Sequence, residues 1–420
     1  MIRKIISSLC LLLSLVSFAQ EGTSSPYSFF GIGDVRFKGT IESRSMAGVQ
    51  VEQDSIHINL DNPASYSNLK LTAFTVGGTY NLTTLNDGSS TEKAKRTTFD
   101  YLAVGLPMGK LGVSFGLIPY SSVGYKIQNT SDVLGGTNNR DYATGGLTKA
   151  FLGASYKLSK NFNIGANVDY NFGRIETTNM QYINGVALGS RELNRADLSG
   201  VSFNFGAMYQ AKLNKKMNFY SSLSYRLESK LASDNTRSIA SVNYTSDFNF
   251  SVAEAFDDEK SSRSLTLPSE LKIGLGIGES KKWLVGAQIV SASKGNLAND
   301  YNTNANSTVT ASYENAMRYS LGGYFIPNYN SFTSYFKRIT YRAGIKHEET
   351  GLVVNSKSIK DTGFSFGLGL PVTGSFSNVN FGFEFGKRGT TSASLIQENY
   401  AKFSVGLSLN DRWFVKRKFD

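Results

Sequence analysis

Residues 162–173 read FNIGANVDYNFG, and every second side chain in this run is apolar. Phe162, Ile164, Ala166, Val168, Tyr170 and Phe172 fall on one face of an extended chain. Asn163, Gly165, Asn167, Asp169, Asn171 and Gly173 fall on the other. Successive side chains of a strand point to opposite faces, so this is a strand between two different environments. Residues 376–386 repeat the pattern, with Val379, Phe381, Phe383 and Phe385 against Asn378, Asn380, Gly382, Glu384 and Gly386. Residues 400–409 set Ala401, Phe403, Val405, Leu407 and Leu409 against Tyr400, Lys402, Ser404, Gly406 and Ser408. No long window carries a helical period.

Such runs are expected at 69–83, 98–107, 111–126, 146–158, 162–176, 199–212, 217–229, 265–278, 282–294, 310–326, 336–347, 361–371, 377–388 and 398–410. Very short basic or glycine turns join alternate pairs: Met108-Gly109-Lys110, Ser159-Lys160-Asn161, Asn214-Lys215-Lys216, Glu279-Ser280-Lys281 and Thr373-Gly374-Ser375. Longer polar stretches lie between them, near 84–97, 127–145, 177–198, 230–264, 295–309, 348–360 and 389–397. One connection, PNYNSFTSY at 327–335, is longer than its place in the alternation demands.

An even number of about fourteen strands, each long enough for the ~9–11 tilted residues that cross a bilayer, predicts an all-β chain: a transmembrane antiparallel β-barrel. Closure satisfies every edge and hides the backbone polar groups from lipid. Secreted sandwich domains also alternate, but they carry short strands with turns every ~8–12 residues, which this chain lacks. Both ends of an even-stranded barrel lie on the periplasmic side, which puts the short turns there and the long loops outside. The polar faces then line the lumen and place Asn163, Asn167, Asp169, Arg226, Arg342, Lys346, Glu384 and Lys402 inside. Aromatics at strand ends, among them Tyr120, Tyr125, Tyr156, Tyr225 and Tyr341, suit the interfacial girdles. Pro119 in the third strand removes a ladder donor and predicts a bend near the loops, with a local defect in the wall as the alternative.

Residues 1–19 read as a cleaved signal peptide: basic Arg3 and Lys4, an apolar run to Phe18, and the Ser17-Phe18-Ala19 junction. The only cysteine, Cys10, falls inside it, so no disulfide or thiol nucleophile is expected in the mature chain. The formal charge is +11, and +9 once Arg3 and Lys4 are lost. In an exported chain that excess is expected in turns and lumen, not against nucleic acid. The expected location is the outer membrane of a Gram-negative cell, with the bilayer and lipopolysaccharide as neighbours. Residues 411–420 form a charged tail beyond the last strand, in which Phe403, Leu407 and Leu409 are candidates for an assembly signal.

Residues 20–68 lack the alternation yet hold Phe29, Phe30, Ile32, Met46, Val49, Val51 and Ile58, which need burial. The barrel, residues 69–410, is the only large enclosure available, so this segment is expected to form a luminal hatch. Within it, Arg44-Ser45-Met46-Ala47-Gly48-Val49 and then Asn62-Pro63-Ala64 resemble the N-terminal part of the FadL/OmpP1/TodX family. That resemblance implies a fourteen-stranded, monomeric barrel that takes up long-chain fatty acids or aromatic hydrocarbons past a luminal hatch. Phe29, Phe30, Gly31, Gly33, Asn62, Pro63 and Ala64 would then belong to the hatch or the ligand path. The SPYSFFGIG opening resembles exported barrels of the Bacteroidetes group, where FadL-like barrels also serve as accessory or plug subunits of the type 9 secretion translocon.

Enzymatic readings find little purchase. Gly31-Ile32-Gly33 lacks the third glycine, the lysine and the strand-to-helix context of a phosphate loop. The two histidines, His57 and His347, have no nucleophile elbow to serve. His347-Glu348-Glu349 and Asp257-Asp258-Glu259 read as solvated loop charges. No cofactor, metal or catalytic residue is expected.

Overall fold

The computed structural model describes residues 23–37, 39–244, 250–297 and 311–413. The proposed signal peptide with Cys10, most of the 295–309 stretch and most of the charged tail lie outside the described residues.

Fourteen antiparallel strands close on themselves. They are β1 (Thr72–Asn86), β2 (Thr91–Met108), β3 in two segments (Leu111–Pro119 and Ser121–Asn129), β4 (Thr137–Lys157), β5 (Phe162–Ile183), β6 (Leu188–Lys212) and β7 in two segments (Asn218–Arg226 and Ser229–Tyr244). β8 has three segments (Phe250–Ala255, Glu259–Leu267 and Glu270–Glu279), followed by β9 (Trp283–Ala292) and β10 (Ala311–Tyr313 and Ala316–Phe325). The circuit ends with β11 (Thr340–Val354), β12 (Lys357–Pro371), β13 (Asn378–Arg388) and β14 (Gln397–Asp411). β14 pairs with β1 from Asp411–Thr72 to Gln397–Asn86, which closes the barrel.

The wall is inside out relative to a soluble protein. Ile164, Val168, Phe203, Phe205, Ile273, Leu275, Val285, Leu321, Phe364 and Phe366 are exposed on its outer surface, while Asn163, Asn167, Asp169 and Asn171 are buried. So continuous an apolar exterior is stable only against lipid. No helix among the described residues is long and apolar enough to cross a membrane.

Three expectations need correction. Most of the polar stretches between strands are themselves strand: the turn after β1 is confined to residues 87–90, and that between β11 and β12 to Asn355 and Ser356. β6 has 25 residues, which at ~3.3 Å each and a ~40° tilt rises roughly 60 Å, about twice the apolar band of such barrels. Above the bilayer the outer face of a strand meets water instead of lipid, so the outward apolar alternation that marks strands disappears there. Secondly, Tyr120 and Tyr125 point inward and are buried, whereas Tyr156, Tyr225 and Tyr341 face outward. Thirdly, the lumen is not polar throughout. Below lies the tier of Asn163, Asn167 and Asp169; above it Leu147, Ile175, Leu198, Leu231 and Leu265 form a buried apolar cluster with Ile32, Tyr120 and Tyr125.

Residues 23–37 and 39–69 lie against the inner faces of the strands. Met46, Val49 and Val51 pack with Tyr220, Leu284 and Tyr324 on one side. Ile41, Ile58, Leu60, Tyr66 and Leu69 pack with Ala73, Tyr101, Ala103, Ile118 and Phe151 on the other. Where this segment runs closest, the wall has no side chains. Gly276, Gly286, Gly322 and Gly344 pair in register across β8 to β11. A Cβ on Gly344 would lie 2.5 Å from the backbone of Met46, and one on Gly165 2.6 Å from that of Pro63. Both are closer than any real Cβ contact, so these positions admit backbone against backbone, while Gly276 and Gly286 take the side chains of Val51 and Val49.

Gly344→Val should therefore unseat the inner segment without opening the barrel. Limited proteolysis of the folded variant should cleave within residues 39–69, where the wild type resists, while the barrel keeps its compact migration on an unheated gel. Equal resistance would contradict the belt's role.

Candidate functional site

The inner segment is held by charge as well as by fit. A bulge in β2 opposite Gly77 and Gly78 leaves Asp100 without a cross-strand partner, and both Asp100 and Tyr101 turn inward. Asp100 thereby meets Arg44 at 3.0 Å, with both side chains buried. Arg44 stands at the end of the short helix Ile41–Arg44 (α1) and also donates to Thr79 at 2.5 Å. Asp61 pairs with Lys272 of β8 at 2.5 Å, and Lys272 reaches Glu270 at 3.3 Å. Asp34 pairs with Arg388 of β13 at 2.5 Å. Glu42 of α1 accepts a bond from Asn380 at 2.8 Å. Three ion pairs thus tie this segment to β2, β8 and β13.

Asn62-Pro63-Ala64 forms a wall anchor. The Asn62 carbonyl oxygen of the side chain accepts from Ala64 N at 3.0 Å and caps the 3-10 turn Pro63–Asn68. Its amide donates to Ser222 Oγ and Leu223 O, both at 2.9 Å, and to Ala207 O at 3.2 Å. Every polar atom of that side chain is used, three of the bonds against β6 and β7. Phe29 packs edge-on against Phe30 and on Tyr125, with ring centroids 5.2 and 4.9 Å apart. Gly31 and Gly33 have φ of +63° and +90°. Gly33 turns the chain where Asp34–Val35 pairs with Ser121 and Ser122 of β3.

That pairing fills a defect. β2 pairs with β3 only from Leu102–Leu117 to Met108–Leu111. Beyond Tyr120 the upper segment of β3 pairs with β4 on one side, and on the other with Asp34–Val35 in place of β2. Arg36 donates to Ser122 Oγ at 2.5 Å and to the Phe99 carbonyl at 3.1 Å, spanning the break between the strands. The bend expected at Pro119 is thus a separation of β2 from β3, and the inward turn of β3 is why Tyr120 and Tyr125 are luminal. Gly145 and Gly146 of β4, with φ of +117° and +140°, let β4 follow.

A cavity of about 300 Å³ lies behind the break. Ile32, Val35, Phe37, Tyr120, Leu297 and Tyr313 contribute apolar surface, and basic and acidic side chains line it in equal number. Of the luminal residues expected from the sequence, Arg226, Lys346, Glu384 and Lys402 border this cavity. Lys346 and Lys402 share Glu384 at 3.1 and 3.3 Å. Arg226 pairs with Glu270 at 3.3 Å. Arg342 lines a second cavity, of about 340 Å³, at the short-turn end. Asn163, Asn167 and Asp169 lie elsewhere, buried beneath the Asn-Pro-Ala turn, with Asp169 3.3 Å from Lys149.

The second cavity holds His57, whose Nδ1 is 2.6 Å from Asp54. Burial alone would raise the Asp54 carboxyl, but the charge and hydrogen bonds of His57 bring it down to about 2. Beside it, burial and the Asp54 charge push Glu52 up to about 7, against the opposing hydrogen bonds from Tyr324 (2.7 Å) and Tyr220 (3.4 Å). His347 lies apart, with Nδ1 2.8 Å from Thr362 Oγ1. Among the described residues no three His, Cys, Asp or Glu side chains are placed to hold a metal ion.

A BamG family model matches residues 1–420, the entire sequence. The chain belongs to the BamG family. No curated protein sequence matches this BamG-family barrel. Its fold is that of the toluene transporter TodX of Pseudomonas putida, with a TM-score of 0.58 at 14% identity over 90% of this chain and 98% of that one. The monoaromatic hydrocarbon channel CymD superposes with a TM-score of 0.55 at 12% identity, over 91% of this chain and 99% of that one. A FadL homologue of Pseudomonas aeruginosa gives 0.53 at 12% identity, over 90% and 99%. At such identities the likeness establishes the architecture alone. The resemblance seen at residues 44–64 thus holds at the level of fold.

Removing one partner of the Arg44–Asp100 pair should be costly, because the other charge stays buried. Asp100→Asn should lower the unfolding free energy in lipid vesicles by about 3–5 kcal/mol, and Arg44→Met with Asp100→Leu by clearly less. Glu52 supplies a second test. Its protonated form is favoured in the folded protein relative to the unfolded chain, so stability should decline as the pH rises from about 4.5 toward 7. Glu52→Gln should flatten that slope in urea titrations across the same range.

Proposed function

We propose that this protein is a plugged outer-membrane channel that admits a small, largely apolar molecule and releases it sideways between β2 and β3. The observation that carries the reading is the break in the wall, backed by a cavity and closed by the Asp34–Arg36 stretch of the inner segment. A gap sealed by three residues needs only a local displacement to open, at the cost of the Asp34–Arg388 pair, whereas expelling the whole segment would also break Arg44–Asp100 and Asp61–Lys272. Residues 20–68 act as a hatch in this scheme, and Phe29, Phe30, Gly31 and Gly33 belong to its moving part. Asn62-Pro63-Ala64 is its fixed foot. The fold shared with TodX and CymD, described as a toluene transporter and a monoaromatic hydrocarbon channel, supports a hydrophobic cargo. The short turns face the periplasm, and the protein works as a monomer.

A second reading has its own support. The equal charges around the cavity and the buried ion pairs also suit a barrel whose plug never moves and which serves as a membrane-embedded subunit of a larger assembly.

One experiment separates them. Val35→Cys with Ser121→Cys opposes two thiols across the seal. In liposomes the reduced protein should admit toluene or a fluorescent fatty acid, oxidation should abolish entry, and a reductant should restore it. Entry unaffected by a formed disulfide would overturn the sideways path. No entry in the wild type, together with co-purification of a partner protein, would favour the subunit.

A further inference from the structure

The short-turn end of the barrel has a charge pattern that neither channel nor plug explains. Lys110, Lys160, Lys215, Lys216, Lys281 and Lys337 stand exposed on the turns and connections following β2, β4, β6, β8 and β10. Among the described residues none of the six is paired with a carboxylate, and the one ion pair at these turns joins Lys282 to Glu279. The opposite end mixes both signs and pairs them, as in Arg174–Asp197, Arg237–Glu192 and Lys360–Glu349.

Large apolar side chains share the rim with these lysines. Phe332 is fully exposed, and Phe336, Leu213, Phe376, Met108 and Leu158 are more than half exposed. The connection that broke the sequence pattern carries Phe332, and Phe336 follows directly after it. It is a built structure: Tyr335 donates to the Pro371 carbonyl at 3.1 Å, Tyr341 donates to the Phe336 carbonyl at 3.3 Å, and Lys281 sits 4.6 Å above the Tyr329 ring. Tyr341 belongs to the lipid-facing surface, as do Leu111, Tyr156 and Phe325 beside the neighbouring turns. The rim therefore continues the lipid belt without a break.

We infer that this rim is a docking surface for anionic phospholipid, its lysines meeting headgroup phosphates while Phe332 and Phe336 enter the adjoining acyl region. Two features select this occupant: the unpaired cations complement phosphate, and the apolar residues adjoin a surface already committed to lipid. Each basic side chain near an anionic surface is worth roughly a fivefold gain in partitioning, so six act strongly together. The leaflet named, the periplasmic one, rests on the orientation given under the proposed function.

The full-length protein in nanodiscs of phosphatidylethanolamine with a minor share of phosphatidylglycerol provides the test. Nanodiscs expose both ends equally, so the result does not depend on orientation. Native mass spectrometry of the wild type should show phosphatidylglycerol retained several-fold above its bulk share, and less so at high salt. Substituting glutamine for all six lysines should return the ratio to bulk, with compact gel migration confirming the fold. Phe332→Ala with Phe336→Ala should shorten lipid retention while keeping the preference. Bulk-ratio retention by the wild type, or undiminished enrichment in the lysine variant, would overturn the inference. So would a protein, not lipid, recovered on the rim from native membranes. Enrichment that persists in a protein showing no uptake supports it and counts against the channel alone.

Discussion

Backbone touches backbone where the inner segment meets the wall, and the rest of the molecule depends on that contact. Gly276, Gly286, Gly322 and Gly344 leave a side-chain-free strip across four strands, and Met46 and Val49 to Val51 lie on it. Because the approach is so close, α1 and its neighbours bring Glu42 and Arg44 within reach of Asn380 and Asp100. A bulkier wall would hold the segment too far off for those bonds, leaving buried charges without partners at a cost of several kcal/mol. Fit and charge are thus one arrangement: the glycines set the distance and the ion pairs use it.

The same principle explains why the molecule has a fixed part and a poised part. Residues 41–69 are surrounded by glycine contacts, apolar clusters and buried ion pairs. Residues 34–36 instead complete a wall that lacks a ladder, with two strand pairings, the hydrogen bonds of Arg36 and one ion pair, Asp34 with Arg388. Local opening is expected where few contacts must break. Function in the proposed scheme follows from this contrast, since the weakly held stretch is also the one in front of the cavity.

The strands were legible because the bilayer enforces alternation: apolar Phe381, Phe383 and Phe385 outside demand Asn380 and Glu384 inside. Legibility ended where that constraint ended. Residues 177–183 and 188–198 are strand whose outer face meets water instead of lipid while the inner face is buried, and their composition resembles loop. Tyr120 and Tyr125 follow the pattern of a girdle in sequence, and only the inward bend of β3 reverses them. The glycines at 165, 322 and 344 stood visibly on polar faces, yet their purpose lies in residues more than a hundred positions away. Asp100 was missed because a bulge, which no local pattern announces, turns it inward. The signal available was Asp100 itself, a charge at the junction between a polar run and an apolar one.

Hydrogen exchange of the protein reconstituted in lipid, followed by mass spectrometry, reads out how firmly each part of the inner segment is held. Amides of residues 41–69 should exchange as slowly as those of the barrel strands, while 33–37 exchange measurably faster. Exchange throughout 41–69 at the rate of an unstructured chain would show that the segment does not reside in the lumen and that no hatch exists.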